Sequence, residues 1–163
     1  MARSRGFNGM ATGQGATFTA YRQEFSLIKA EKFIELLDSG ELAPIGTGKT
    51  MGTYITDAVG LWRGNVTLEL QVTVQNPLVL LNDDKSLEAR LWDRKWLAET
   101  VSQYDSIVSV PDPKKVKIKA RQGLLFYPTE QIISATVMGT HEEVLREFIN
   151  ECIKTGQNFS PAA

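Results

Sequence analysis

The chain has few of the residues on which most metal and hydrolytic sites depend. Its 163 residues include one cysteine, Cys152, and one histidine, His141. A single cysteine excludes an internal disulfide framework, and its position on an apolar helical stripe favours a core thiol in a reducing compartment. One histidine and one cysteine also cannot supply the usual ligands of zinc. We therefore expect no metal site, and we disfavour Ser-His or Cys-His catalysis.

The chain also lacks a strong net charge and a long apolar run. Lysine and arginine total 18 and aspartate and glutamate total 19, so the formal net charge is −1. This balance provides no basic field for nucleic acid, and the lysines between residues 114 and 119 are typical of the solvated face of a strand. No apolar stretch approaches the roughly 18 residues of a membrane span, and no signal-peptide pattern is present. We expect a soluble, cytoplasmic protein with no membrane partner.

Length and composition fit one domain. Hydrophobic residues make up 42% and charged residues 23%, which is typical of globular proteins. Residues 1–15 contain four glycines among small polar residues, and this composition predicts a flexible N-terminal arm. No internal repeat or linker divides the rest, so residues 16–163 are predicted to form a single domain.

The clearest signal of secondary structure is a strict alternation of apolar and polar residues between positions 65 and 75. Such alternation predicts a strand with one buried and one polar face. It favours antiparallel pairing, because central parallel strands are apolar on both faces. The fold class predicted from this pattern is α+β. Its apolar positions are Val66, Leu68, Leu70, Val72 and Val74.

Helical spacing predicts three helices. The first follows Ser26, which can cap it, and ends at Gly40. The second covers about residues 86–103, and the third covers residues 142–154 after a capping box that begins at Thr140. Further short strands are predicted at Ser106–Val110, Lys115–Ala120, Leu124–Tyr127 and Gln131–Met138.

The segment Gly46–Thr50, GTGKT, resembles the end of a phosphate-binding P-loop. A P-loop would require glycine where this chain has Ala43, and it would follow a buried strand, which Pro44 disfavours. We therefore do not predict a P-loop. The loop that contains this segment is rich in turn-forming residues and has a length typical of loops that belong to sites.

Several segments, taken in order, resemble ADP-ribosyltransferases. Thr17–Arg22 resembles their first strand, which ends in a residue that holds NAD, and Gly48–Ala58 resembles their glycine loop, strand and helix start, G-x-Y-x-T. Leu124–Ile132 resembles their last strands. With the alternating strand and residues 104–108 between them, the likeness covers about residues 16–137. It implies two small antiparallel β-sheets around a cleft, with flanking helices.

The resemblance also implies a function, with NAD as co-substrate. A nucleophile on a macromolecular acceptor, most simply a protein, would displace nicotinamide from NAD, as in the small transferases of phages and toxins. Arg22 would hold diphosphate or ribose oxygens, and Tyr54 would stack on nicotinamide. Thr56 would support the cleft, and Gly52 would let the backbone approach the dinucleotide. This chemistry needs no metal.

The sequence departs from the family at the catalytic glutamate. The family places this residue just before the strand that corresponds to residues 124–127, where this chain has Gln122. An amide can hydrogen-bond a ribose hydroxyl, but it cannot stabilise developing positive charge as a carboxylate does. Glu130 is the nearest carboxylate after it. The predicted catalytic set is therefore Arg22, Tyr54, Gln122 and Glu130.

Other interpretations of the same residues stay open. Tyr54 could be an ordinary aromatic of the sheet, and Arg22 and Gln122 could be solvated surface residues. The domain could be a catalytically inactive member of the same fold that acts as a binding or inhibitor protein. It could also be an unrelated α+β interaction domain.

Overall fold

A computed structural model describes residues 4–46, 52–57, 66–112, 114 and 121–155. In this part of the chain the fold is mixed α+β, as the sequence predicts, and the predicted strand Lys115–Ala120 lies outside it. The strands are β1 (Ser4–Arg5), β2 (Ala16–Glu24), β3 (Thr53–Thr56), β4 (Val66–Val74), β5 (Pro77–Asp83), β6 (Ser106–Pro111), β7 (Gln122–Leu125) and β8 (Ile132–Thr140). The helices are α1 (Leu27–Asp38), α2 (Leu87–Leu91), α3 (Arg94–Gln103), α4 (Pro128–Gln131) and α5 (His141–Thr155).

The described strands form a single sheet, so the prediction of two separate sheets is wrong. Their order is β5-β6-β7-β3-β2-β4-β8, and β1 pairs with β2 beside this path. Pairing is antiparallel except between β5 and β6 and between β1 and β2. The two halves of the sheet join through one residue pair, Tyr21 of β2 with Thr56 of β3. Alternation in a sequence indicates which face of a strand is buried, but it does not indicate which strands are neighbours.

The alternating strand is confirmed as β4, and its apolar face forms the centre of the larger core. Its five apolar side chains are buried against Phe18 and Ala20 of β2 and against Phe33 of α1. Full burial of each valine or leucine contributes about 1.5–3 kcal/mol. This face therefore fixes the register of β2, and with it the position of Arg22.

The first and last predicted helices are confirmed as α1 and α5, but the second is divided into α2 and α3. Ser26 Oγ caps α1 by accepting a hydrogen bond from Lys29 N at 3.2 Å. Asp93 interrupts the second helix, because its Oδ1 accepts from Trp96 N at 3.0 Å and so begins a new helix. Helices α2 and α3 cover a smaller core on the other face of β6 and β7.

The N-terminal segment lies against the sheet in the structure, whereas its glycine content predicts a flexible arm. Phe7 is 5% exposed, and its ring meets that of Phe18 edge-on at 5.6 Å. Met10 is also buried in the larger core. A prediction from glycine content overlooks these two apolar side chains, whose burial anchors the segment.

None of the helices in the described ranges combines the length and the apolarity that a membrane crossing requires.

Candidate functional site

A cavity of about 220 Å³ opens where β2 and β3 separate. It contains four of the residues that the sequence predicts as site residues, Arg22, Tyr54, Thr56 and Gln122, although they come from three different strands. The complete lining consists of Tyr21, Arg22, Gln23, Tyr54, Ile55, Thr56 and Gln122.

Strand register explains why all of these residues meet except Arg22 and those on its face. Arg22 follows Tyr21, so its side chain lies on the opposite face of β2 and reaches the cavity through the gap between the strands. Thr56 pairs with Tyr21 on one side and with Gln122 on the other. Residues directly opposite each other in antiparallel strands share a face and lie on strands about 4.8 Å apart. Tyr21, Thr56 and Gln122 therefore form a row across three strands, and Tyr54, two residues from Thr56, lies on the same face. Beyond the Tyr21 and Thr56 pair the two strands are unpaired, and this gap forms the cavity.

Arg22 bridges the gap between the two halves of the sheet. Its Nε donates to Glu24 Oε1 at 2.9 Å, and one terminal nitrogen donates to the Tyr54 carbonyl oxygen at 3.0 Å. The guanidinium also lies 4.9 Å from the centre of the Phe33 ring. A guanidinium has five N–H donors, and two of them are bonded to residues that the structure describes. The others suit an anion such as a diphosphate.

Tyr54 presents a partly exposed aromatic ring at the mouth of the cavity. The side chain is 38% exposed. Burial, and to a lesser extent the negative charge of Glu88, raises the pKa of the Tyr54 hydroxyl. Near neutral pH this hydroxyl therefore stays protonated and can donate a hydrogen bond, while the ring can stack on a planar group.

A polar cluster ties the N-terminal segment to the strand ends beside the cavity. One terminal nitrogen of Arg121 donates to Asn8 Oδ1 at 3.1 Å and lies 3.4 Å from Asp57 Oδ2. Burial raises the pKa of the Asp57 carboxyl, and the Arg121 charge only partly offsets this effect. Because Asp57 follows Thr56 and Arg121 precedes Gln122, the cluster holds both cavity residues in place.

Helix α2, which carries Glu88 near Tyr54, is anchored to β5 by an ion pair. Arg90 Nε donates to both carboxylate oxygens of Asp83, at 2.9 and 2.8 Å, and Ser109 Oγ donates to the same carboxylate at 3.3 Å. Burial alone would raise the pKa of Asp83. The hydrogen bonds from Arg90, Lys85 N and Ser109 and the positive charge of Arg90 outweigh the effect of burial, so the pKa of Asp83 is lowered.

Gly52 and Glu130 do not line the cavity. Gly52 has φ of 81°, and a Cβ there would lie 2.5 Å from the Leu125 carbonyl oxygen. The close approach of β7 therefore explains why position 52 requires glycine. Contact between Gly52 and a dinucleotide stays a prediction. Glu130 is exposed on α4 beyond the end of β7, whereas Gln122 begins that strand, so the structure does not bring Glu130 to the site.

The sequence interpretation missed Tyr21, Gln23 and Ile55 of the lining, and it missed Glu24, which holds Arg22. The spacing of Arg22 and Glu24 was a usable signal, because residues i and i+2 of a strand lie on one face. Tyr21 could not be found in this way, since its place depends on β3 joining β2. In the described ranges, no group of three or more His, Cys, Asp or Glu residues could hold a metal ion.

No protein-family model, curated protein or solved structure matches this chain.

Proposed function

We propose that this protein binds NAD in the cavity between β2 and β3 and transfers ADP-ribose to a macromolecular acceptor, most simply a protein. One observation carries the proposal. Arg22, Tyr54, Thr56 and Gln122, chosen for their likeness to a transferase cleft, line the same cavity. A phage or mobile-element effector is the kind of protein in which small domains of this type occur.

Each residue has a role that follows from its chemistry. The N–H groups of Arg22 that point away from Glu24 and Tyr54 would bind diphosphate or ribose oxygens. Tyr54 would stack on the nicotinamide ring, and Gln122 would hydrogen-bond a ribose hydroxyl. The cavity of about 220 Å³ is smaller than the roughly 300–1,000 Å³ of typical ligand sites. It would therefore enclose the nicotinamide end, and the adenosine half of NAD would lie outside it.

A second candidate function is favoured by the lack of a carboxylate in the lining. Among the residues that the structure describes, the cavity contains no aspartate or glutamate, and Glu24 is held by Arg22 beside it. Loss of one group that stabilises the transition state typically slows a reaction by about 10²–10³. The domain could then bind NAD without turnover and serve as a binding or inhibitor protein.

Binding of NAD should depend on Arg22 and Tyr54. We expect Arg22→Ala to weaken binding by about 1.5–3 kcal/mol through loss of charge-assisted hydrogen bonds, and Tyr54→Ala to weaken it through loss of stacking. Titration calorimetry on folded variants measures both effects. Arg22→Lys keeps the charge but loses the planar fork, so it should fall between Arg22→Ala and the wild type.

Two control variants match these changes. Tyr127 is 37% exposed, against 38% for Tyr54, and it lies outside the cavity. Arg94 is exposed on α3. Alanine at either control position should leave NAD affinity unchanged, and equal affinities in all variants would contradict the assigned roles.

Restoring the missing carboxylate should distinguish the two candidate functions. If the transferase alignment is correct, Gln122→Glu should raise the rate of nicotinamide release from NAD by roughly a hundredfold. Glu130→Gln should not change this rate, because Glu130 lies away from the cavity. Binding of NAD by the wild type without release, followed by release in Gln122→Glu, would identify an inactive cleft. Binding without release in both would remove the support for the alignment of the last strands.

A further inference from the structure

The elements on the two sides of β3 bring different groups to the cavity. In the sheet, β3 lies between β2 and β7, and β6 follows β7. Arg22 comes from the β2 side, where it donates to the Tyr54 carbonyl oxygen at 3.0 Å. Helix α2 comes from the other side, because its buried Leu87 belongs to the same apolar cluster as Leu124 of β7. The positive charge of Arg22 therefore lies on one side of Tyr54, and α2 lies on the other.

Glu88 brings a negative charge to the α2 side of Tyr54. Tyr54 is the register partner of Leu124, so both side chains lie on the face of the sheet that α2 covers. The ion pair between Arg90 and Asp83 holds α2 in place on this face. Glu88 is exposed beside it. Its charge acts on Tyr54, since it is the second cause, after burial, of the raised pKa of the Tyr54 hydroxyl.

The carboxylate of Glu88 is not neutralised within the part of the chain that the structure describes. No lysine, arginine or histidine there lies within ion-pair distance of it. The carboxylates of Glu24 and Asp83, in contrast, are each paired with an arginine. The charge of Glu88 is therefore available to a cation bound beside Tyr54.

We infer that Glu88 makes the site selective for the oxidised nucleotide, NAD⁺, over its reduced form, NADH. This inference rests on the proposed function, in which Tyr54 stacks on the nicotinamide ring and Arg22 binds the diphosphate. The ring carries a positive charge in NAD⁺ and none in NADH, whereas the diphosphate is the same in both. A site with Arg22 on one side of Tyr54 and Glu88 on the other matches the charges of NAD⁺. The aromatic face of Tyr54 also favours a cation.

This selectivity suits the proposed reaction. When ADP-ribose is transferred, the bond between ribose and the ring nitrogen breaks and its electron pair goes to that nitrogen, so the cationic ring of NAD⁺ leaves as neutral nicotinamide. The ring of NADH carries no positive charge that this electron pair could neutralise. NADH is therefore a poor substrate that would only compete for the cavity, and Glu88 disfavours its binding relative to NAD⁺.

Titration calorimetry with NAD⁺ and, separately, with NADH tests this inference. The wild type should bind NAD⁺ more tightly than NADH. Glu88→Gln should weaken the binding of NAD⁺ about threefold to fivefold, as for an exposed charge pair, and should leave the affinity for NADH unchanged. Glu88→Asp keeps the charge and should retain most of the selectivity. The matched control is Glu99→Gln, which removes an exposed carboxylate from α3 and should change neither affinity.

Salt dependence shows whether charge is the cause. Added salt screens exposed charges, so the difference in NAD⁺ affinity between the wild type and Glu88→Gln should shrink as the ionic strength rises. Circular dichroism shows whether each variant is folded. If NAD⁺ binds but the ratio of the two affinities is the same in the wild type and in folded Glu88→Gln, the inference is wrong and the proposed function stands. If neither nucleotide binds, the proposed function is contradicted, and the inference with it.

Discussion

Replacing Arg90 with alanine should lower the free energy of unfolding at neutral pH by about 3–5 kcal/mol, the usual cost of leaving a buried charge without its partner. The side chain of Asp83 is 0% exposed, whereas that of Arg90 is 25% exposed. Removing Arg90 thus leaves a carboxylate buried, and removing Asp83 leaves a guanidinium that can reach solvent and Asp84. We therefore expect Asp83→Ala to cost less than Arg90→Ala.

The lowered pKa of Asp83 fixes the direction in which the stability cost of Arg90→Ala should change with pH. A carboxyl whose pKa is lower in the folded state stabilises the protein above its unfolded-state pKa of about 3.9, and this contribution is lost as the pH falls through the folded-state value. In Arg90→Ala, the hydrogen bonds and charge of Arg90 no longer oppose the effect of burial, so the pKa of Asp83 should rise. The difference in stability between wild type and variant should therefore shrink on acidification.

Urea unfolding at neutral and acidic pH measures both effects. Arg94 provides a matched control, since it is an exposed arginine on the neighbouring helix α3, and Arg94→Ala should be nearly neutral at both pH values. Equal costs for Arg90→Ala and Arg94→Ala, or a difference that does not change with pH, would contradict the role assigned to the buried pair.

Replacing Phe7 with alanine should destabilise the protein by about 3–5 kcal/mol, the usual cost of truncating a buried phenylalanine. Phe7 contacts Phe18 in the larger core, and a Cβ at Gly123 of β7 would lie 3.3 Å from its ring. A flexible arm would give a cost near zero. Urea unfolding of the full chain therefore shows whether the segment is a flexible arm, as its composition predicts, or is docked on the sheet, as in the structure.

Gln14→Ala is the control for this substitution, because Gln14 is an exposed residue of the same segment. It should change stability by less than about 0.5 kcal/mol. Amide exchange adds a local test. The Gly6 N–H, which donates to the Thr19 carbonyl oxygen at 2.9 Å, should be protected in the wild type and should exchange faster in Phe7→Ala. Rapid exchange at Gly6 in the wild type would contradict the docked segment.

Local patterns predicted the elements of this fold well. The alternation of β4 and the cap at Ser26 each depend on residues close together in the sequence, and both are present in the structure. The split between α2 and α3 was also a local signal, because Asp93 is a good N-cap, but the apolar spacing across it suggested one helix. The docking of residues 4–15 depends on a distant core and could not be predicted from glycine content.

Only residues in the short motifs that resemble ADP-ribosyltransferases were predicted as site residues. Arg22, Tyr54 and Gln122 were identified from short motifs, and all three line one cavity. Register places Tyr54 and Gln122 on one face of the sheet, whereas Arg22 lies on the opposite face and reaches the cavity through the gap between β2 and β3. Tyr21 owes its place to the pairing of β2 with β3, which one sequence does not encode in any visible pattern, whereas Glu24 could have been found from its spacing of two residues from Arg22. Glu130 was suggested by closeness in sequence, and the direction of β7 carries it away from the cavity.

Amide chemical shifts of the ¹⁵N-labelled protein during titration with NAD test the central claim most directly, since they report both binding and its location. We expect the largest changes at residues 21–23, 54–56 and 122, which line the cavity. Smaller changes are expected at Glu24, whose carboxylate holds Arg22. No shift at saturating NAD, or changes confined to residues outside this group, would contradict the claim that the cavity between β2 and β3 binds NAD.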